Sequence, residues 1–106
     1  MGIDERLRGE IVQRVLTVAR PDKIILFGSA ATGRMTRDSD IDLLVVEPAP
    51  QNTRKKSVLI ADALRGLGVA FDVIVMASER FEETKSLIGG IAYPASKHGK
   101  VIYEAA

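Results

Sequence analysis

The hydrophobic residues near the start of the chain recur at spacings of three and four. This spacing predicts an amphipathic helix over residues 3–19, because side chains spaced in this way share one face of a helix. The sequence Arg20-Pro21 ends the helix, since proline disfavours helical geometry in the residue before it. The apolar positions of this face are Ile3, Leu7, Ile11, Val15 and Val18.

Three continuous apolar runs follow, and such runs fit strands that are buried on both faces. They read KIILF at residues 23–27, DIDLLVV at residues 40–46 and VAFDVIVM at residues 69–76. A shorter run at residues 100–103 predicts a last strand. The strand order within a sheet does not follow from these patterns.

Helices are predicted between the strands, with Thr53 and Ser78 as the expected N-caps of two of them. Another short helix is expected between the first two strands. Beyond the helix that starts at Ser78, the residues Gly89, Gly90 and Pro94 break up the pattern. The alternation of helices and strands predicts a single α/β domain over residues 1–106, with a small mixed sheet of about four strands covered by helices.

Composition and charge narrow the possible functions. The chain has 106 residues, of which 46% are hydrophobic and 27% charged, as expected for one folded domain. It lacks cysteine, so a bound metal would need oxygen ligands or the single histidine. A net charge of +1 gives no case for direct nucleic-acid binding. No apolar stretch approaches the roughly 20 residues of a membrane span, so we expect a cytoplasmic protein without a membrane partner.

Three aspartates are the candidate catalytic and metal-binding residues. Asp40 and Asp42 are two apart in a predicted strand, so their side chains point to the same face. Asp72 interrupts an apolar strand, where a buried carboxylate is costly unless it is paired or binds metal. If the two strands are neighbours, at a spacing of about 4.8 Å, the three carboxylates form a two-metal site.

A candidate phosphate site lies at the end of the first strand. Gly28-Ser29 follows the strand at a point where backbone N–H groups can bind an anion and glycine permits close approach. The Ser29 hydroxyl would add a hydrogen bond to a triphosphate. Arg34 and Arg37, in the segment that follows, would add charge-assisted hydrogen bonds.

These motifs resemble the nucleotidyltransferases of the DNA polymerase beta superfamily. The segment GSAATGRMTRDSDIDLLVV at residues 28–46 follows their pattern of G-S, a nearby glycine and S-D-x-D, with a lone carboxylate on a later strand. The whole chain is similar to the stand-alone minimal branch, including a G-x-x-x-Y segment at residues 99–103. Ala30 and Thr32 stand where many minimal relatives carry arginine. The matching positions are Gly28, Ser29, Gly33, Ser39, Asp40, Asp42 and Asp72.

The resemblance implies a nucleotidyltransferase fold and a reaction that moves AMP from ATP to an acceptor hydroxyl with two Mg²⁺ ions. Asp40 and Asp42 would bind both ions and Asp72 one of them. Relatives of the minimal branch are paired with HEPN-type RNase toxins, so the implied acceptor is a tyrosine of such a toxin. The residues expected to bind the nucleotide are Gly28, Ser29, Gly33, Arg34 and Ser39.

Two other functions remain open at this point. The chain could neutralise a toxin by binding alone, or it could be a regulatory domain that binds a nucleotide and transfers nothing. Individual residues also have simpler interpretations: Ser29 and Ser39 as turn or cap residues, and Asp72 as a partner in an ion pair. The basic residues Arg54, Lys55 and Lys56 form either a solvated helix face or a contact for an acidic partner or phosphate.

Overall fold

The first helix, α1 (Glu5–Val18), shows how the pattern of the sequence becomes structure. The structure, a computed structural model, describes residues 4–28 and 40–105. Asp4 caps the helix, and its carboxylate accepts a hydrogen bond from Leu7 N at 2.8 Å. Ile11 and Val15, at the predicted helical spacing, are fully buried against the sheet. The predicted amphipathic helix is therefore present, slightly shorter than expected.

The described residues form four strands and four helices around the sheet. No helix among them is long and apolar enough to cross a membrane. The strands are β1 (Lys23–Phe27), β2 (Ile41–Glu47), β3 (Phe71–Ala77) and β4 (Lys100–Glu104). The other helices are α2 (Thr53–Ala63), α3 (Ser78–Thr84) and α4 (Ala92–His98).

The strand order in the sheet is β3-β2-β1-β4. Strand β1 runs antiparallel to both of its neighbours, β2 and β4, whereas β2 and β3 are parallel. The predicted α/β fold with a mixed sheet is thus confirmed. Because β2 is a central strand covered on both faces, most of its side chains are buried, in agreement with its continuous apolar sequence.

Each face of the sheet has its own hydrophobic core. One core lies under α1 and α2 and contains Ile11, Val15 and Ile60 of these helices. The other lies under the short helices α3 and α4, which contribute Phe81, Ala92 and Ala95. Alternate residues of β2 point into one core or the other, so even-numbered positions face α3 and α4.

The structure corrects three local predictions. Helix α4 was not expected, because Pro94 was interpreted as a chain breaker. Pro94 is the third residue of this helix, in the first turn, where backbone N–H groups have no partner within the helix and proline is tolerated. Asn52 rather than Thr53 caps α2, accepting a hydrogen bond from Lys55 N at 3.0 Å. Ser78 is the first residue of α3 and makes no cap; its hydroxyl donates to Asp22 instead.

Candidate functional site

The candidate site lies at the end of the sheet where β1 stops and β2 begins. In the sheet register, Phe27 of β1 lies opposite Asp42 of β2. Asp42 in turn lies directly beside Asp72 in the parallel pair of β2 and β3. The Ile41 N–H donates to Ala70 O at 2.9 Å just before this pair, which fixes the register at its start. The two strands that the sequence predicted to carry the acids are therefore neighbours.

Both aspartates belong to the face of the sheet covered by α3 and α4. Asp42 alternates with Leu44 and Val46, and Asp72 alternates with Ile74 and Met76, all of which pack on that side. Asp42 is half-buried where β2 begins, at the margin of this core, whereas Asp72 is exposed on the edge strand β3. The predicted burial of Asp72 is therefore wrong: among the described strands, β3 has a neighbour on one side only, and Asp72 near its start reaches solvent.

The charges of the three aspartates influence one another. Burial raises the pKa of Asp42 above its usual value, and the nearby carboxylates of Asp72 and Asp40 raise it further. Like charges gathered in this way destabilise the ionised state unless a cation neutralises them. The three carboxylates named from the sequence thus interact at one end of the sheet.

Gly28 places the backbone of the first strand directly against Asp42. It has a positive φ of 65°, which glycine adopts without strain. A Cβ atom added to Gly28 would collide with Asp42 Oδ2 and would lie 3.3 Å from Asp42 Cγ. The missing side chain therefore makes room for the carboxylate, a role that the sequence did not suggest because only an approaching phosphate was considered.

The remaining predicted nucleotide-binding residues lie outside the described part of the chain. They are Ser29, Gly33, Arg34, Arg37 and Ser39. The short helix expected between the first two strands lies outside the described residues as well. Phe27, which lies half-buried opposite Asp42, was not singled out from the sequence. Its only signal was its place at the end of the apolar run, next to the glycine.

Within residues 4–28 and 40–105, no three acidic, histidine or cysteine side chains are grouped closely enough to hold a metal ion as they stand. The donor set nevertheless suits Mg²⁺, which prefers carboxylate oxygens. This ion commonly keeps several waters and is held by one or two carboxylates together with phosphates of the substrate. An open pair at Asp42 and Asp72, with Asp40 close enough to affect the Asp42 pKa, fits such a mode of binding.

Comparison with protein families gives a match over most of the chain. A family profile described as a nucleotidyltransferase domain matches residues 5–94. Comparison with curated protein sequences gives no significant match.

Solved structures share the fold. A chain in the crystal structure of a toxin–antitoxin with AMP-PNP superimposes with a TM-score of 0.70 at 20% identity, covering 92% of this chain and 73% of that chain. A chain in the complex of tri-AMPylated Shewanella oneidensis HEPN toxin with MNT antitoxin gives 0.65 at 16% identity, over 97% and 74%. A candidate nucleotidyltransferase from Sulfolobus solfataricus gives 0.63 at 22% identity, over 93% and 78%.

Proposed function

The chain belongs to the nucleotidyltransferase domain family, and on that premise we propose that it moves AMP from ATP to a protein hydroxyl. The acceptor is a tyrosine of a HEPN-type toxin in the cytoplasm, and the chain acts as the antitoxin. The observation that carries the proposal is the pairing of Asp42 with Asp72 beside Gly28, at the edge where Asp40 also acts on Asp42.

The aspartates have distinct roles in the proposed reaction. Asp40 and Asp42 would hold two Mg²⁺ ions, with Asp72 as a further ligand of one of them. When bound, the metal neutralises charge on the triphosphate and stabilises the charge that develops on the α-phosphate. Asp42 is held in place by its sheet register and by contact with Gly28, so its carboxylate needs little reorganisation to bind the ion.

The transfer itself is an in-line displacement. The acceptor oxygen forms a bond to the α-phosphorus, the bond from that phosphorus to the bridging oxygen breaks, and pyrophosphate leaves. Asp72 accepts the proton of the hydroxyl. This role suits its position, because Asp72 is exposed on the edge strand, where a protein acceptor has access.

The nucleotide would be held at the end of β1. Gly28 permits close approach of the backbone, and Ser29, Gly33, Arg34 and Ser39 supply the predicted hydrogen bonds to the phosphates. For the identity of donor and acceptor, the support comes from structural relatives: one is a toxin–antitoxin with AMP-PNP, and another contains a tri-AMPylated HEPN toxin with its MNT antitoxin.

The test is co-expression with the protein encoded beside this gene, followed by mass spectrometry of that protein. We expect one or more AMP additions with the wild-type chain and none with Asp42→Asn. The matched control is Asp62→Asn, the same change at an exposed aspartate of α2, which forms an ion pair with its helix neighbour Arg65.

Two outcomes would contradict the proposal. If Asp42→Asn neutralises the toxin as well as the wild-type chain does, and no mass is added in either case, inhibition occurs by binding alone. If ATP binds with Mg²⁺ but no protein, peptide or nucleotide acceptor is modified, the chain is a nucleotide-binding regulatory domain.

A further inference from the structure

A stripe of basic and aliphatic side chains runs along the outer side of α2. It consists of Arg54, Lys55, Val58 and Leu59, all exposed. Residues four apart are neighbours on a helix surface, so Arg54 lies beside Val58 and Lys55 beside Leu59. Val58 is 57% exposed and Leu59 44%, which is unusual for two large apolar side chains in adjacent positions.

Within residues 4–28 and 40–105, no ion pair neutralises the positive charge of the stripe. Among the described residues, neither Arg54 nor Lys55 forms an ion pair. Other basic residues of the surface differ: Arg65 pairs with Asp62 at 3.1 Å, and Arg8 pairs with Glu5 at 3.5 Å. The next residue, Lys56, is directed inward, where its ammonium donates to Val18 O and lies 3.9 Å from Glu47.

Two shallow grooves adjoin the stripe. One has a volume of about 340 Å³ and is bordered by Pro50, Lys55 and Leu59. The other has a volume of about 430 Å³ and is bordered by Arg54, Val58 and Leu59. Leu59 thus borders both depressions and Val58 one of them, so side chains of a docked segment could contact these two aliphatic residues from the grooves.

We propose that this stripe docks an acidic, amphipathic segment of a partner protein. Carboxylates of the segment would pair with Arg54 and Lys55, while its aliphatic side chains would cover Val58 and Leu59. The charge of the stripe alone would also suit RNA. A protein is favoured because Val58 and Leu59 gain nothing from a phosphate backbone, and the stripe lacks the aromatic side chains on which bases stack.

The position of the stripe sets it apart from the carboxylates. Helix α2 covers the face of the sheet that Ile41, Leu43 and Val45 line, whereas Asp42 points to the other face. The helix also starts just after the end of β2 that lies farthest from Asp42. A segment bound to the stripe would leave the carboxylate edge open, and the proposal does not depend on nucleotide transfer.

Fluorescence anisotropy with a labelled synthetic helical peptide tests the proposal. The peptide presents glutamates and leucines on one face, and a peptide of the same composition in scrambled order is the reference. We expect the double variant Arg54→Glu/Lys55→Glu and the single variant Val58→Ser each to weaken binding by about tenfold or more. The double variant Arg8→Glu/Arg65→Glu makes the same charge change elsewhere and should bind normally.

Several outcomes would overturn the docking surface. Unchanged affinity in the Arg54→Glu/Lys55→Glu variant would do so, as would equal binding of the scrambled peptide. If an RNA hairpin binds with equal affinity and Val58→Ser has no effect, the stripe is a general polyanion surface. Asp42→Asn must bind the peptide like the wild type; this result separates the docking surface from the proposed transfer, since each can fail without the other.

Discussion

Two carboxylates on the same strand, Asp42 and Glu47, have opposite electrostatic surroundings. Glu47 is only 6% exposed, yet it accepts a hydrogen bond from Arg20 N at 3.2 Å and has Lys56 at 3.9 Å. Asp42 is less buried, but its pKa is raised by that burial and further by two nearby charges of its own sign, Asp72 and Asp40.

This is the difference expected between a structural carboxylate and one that binds a ligand, as proposed for Asp42. The chain supplies a donor and a cation for Glu47, so its burial is compensated within the protein. At the other end of β2 the fold brings a second carboxylate beside Asp42, and among residues 4–28 and 40–105 no basic side chain pairs with it. An arrangement that costs stability when empty is expected where a cation completes it.

The strongest test of this difference is the rate of nucleotide transfer. Asp42→Asn removes a proposed metal ligand and should raise the barrier by about 3 kcal/mol or more, which lowers the rate by more than about a hundredfold. Its melting temperature should stay the same or rise slightly, because mutual repulsion is relieved. Transfer assays and thermal melts on the same preparations check both. Near wild-type turnover would remove Asp42 from the metal site.

The opposite result is expected at Glu47, where stability rather than activity should change. Glu47→Ala leaves Arg20 N without its acceptor and Lys56 without its counterion, at a cost of about 2 kcal/mol. Glu47→Gln should cost less, since the amide oxygen can still accept from Arg20 N. Urea denaturation measures both. Equal losses for the two variants would mean that the ion pair, not the hydrogen bond, dominates.

Gly28→Ala separates the contact with Asp42 from backbone strain. Gly28 and Gly66 both have positive φ, 65° and 88°, but an alanine Cβ meets Asp42 only at Gly28 and nothing within 4 Å at Gly66. Each alanine should cost about 1 kcal/mol through its φ. We expect an extra loss at Gly28, with weaker Mg²⁺ binding as Asp42 is displaced. If both variants lose the same stability, the contact carries no energy.

The smallest effect should appear in the pH dependence of stability. Because the folded-state pKa of Asp42 lies above its usual 3.8, the folded protein binds this proton more tightly than the unfolded chain does. The free energy of unfolding should therefore fall as pH rises from 3.8 through the raised pKa. The difference between wild type and Asp42→Asn in urea titrations isolates this slope. A slope of opposite sign would contradict the raised pKa.

Most of the architecture was readable from the hydrophobic pattern, because buried strands such as β1 and β2 are continuous apolar runs. The boundaries of β3 were predicted at residues 69–76 and observed at Phe71–Ala77. Helix α4 was missed because local breakers outweighed its short pattern. The packing of α4 depends on β1, which is distant in sequence. Gly99, just after the helix, passes so close to β1 that a Cβ would lie 2.8 Å from Leu26 O.

The candidate site was predictable as a set of residues but not as an arrangement. The spacing of Asp40 and Asp42 predicted that they share a face of one strand, but Asp40 lies just before β2. The neighbour of β2 depends on strand order, which no local pattern encodes. The burial of Asp72 was misjudged for the same reason, since an apolar sequence does not distinguish an edge strand from a central one. Catalytic roles for these residues stay predictions.

The parallel pairing of β2 with β3 makes the acidic pair a modular unit. Parallel neighbours require a crossover, here α2, so both Asp42 and Asp72 belong to one contiguous strand–helix–strand segment over residues 41–77. A transplant of this segment into a related scaffold would carry the two carboxylates, their register and the docking stripe together. Recombination at its ends would therefore keep Asp42 and Asp72 together, whereas Asp40, which lies just before β2, would have to be included in the exchanged segment to complete the proposed site.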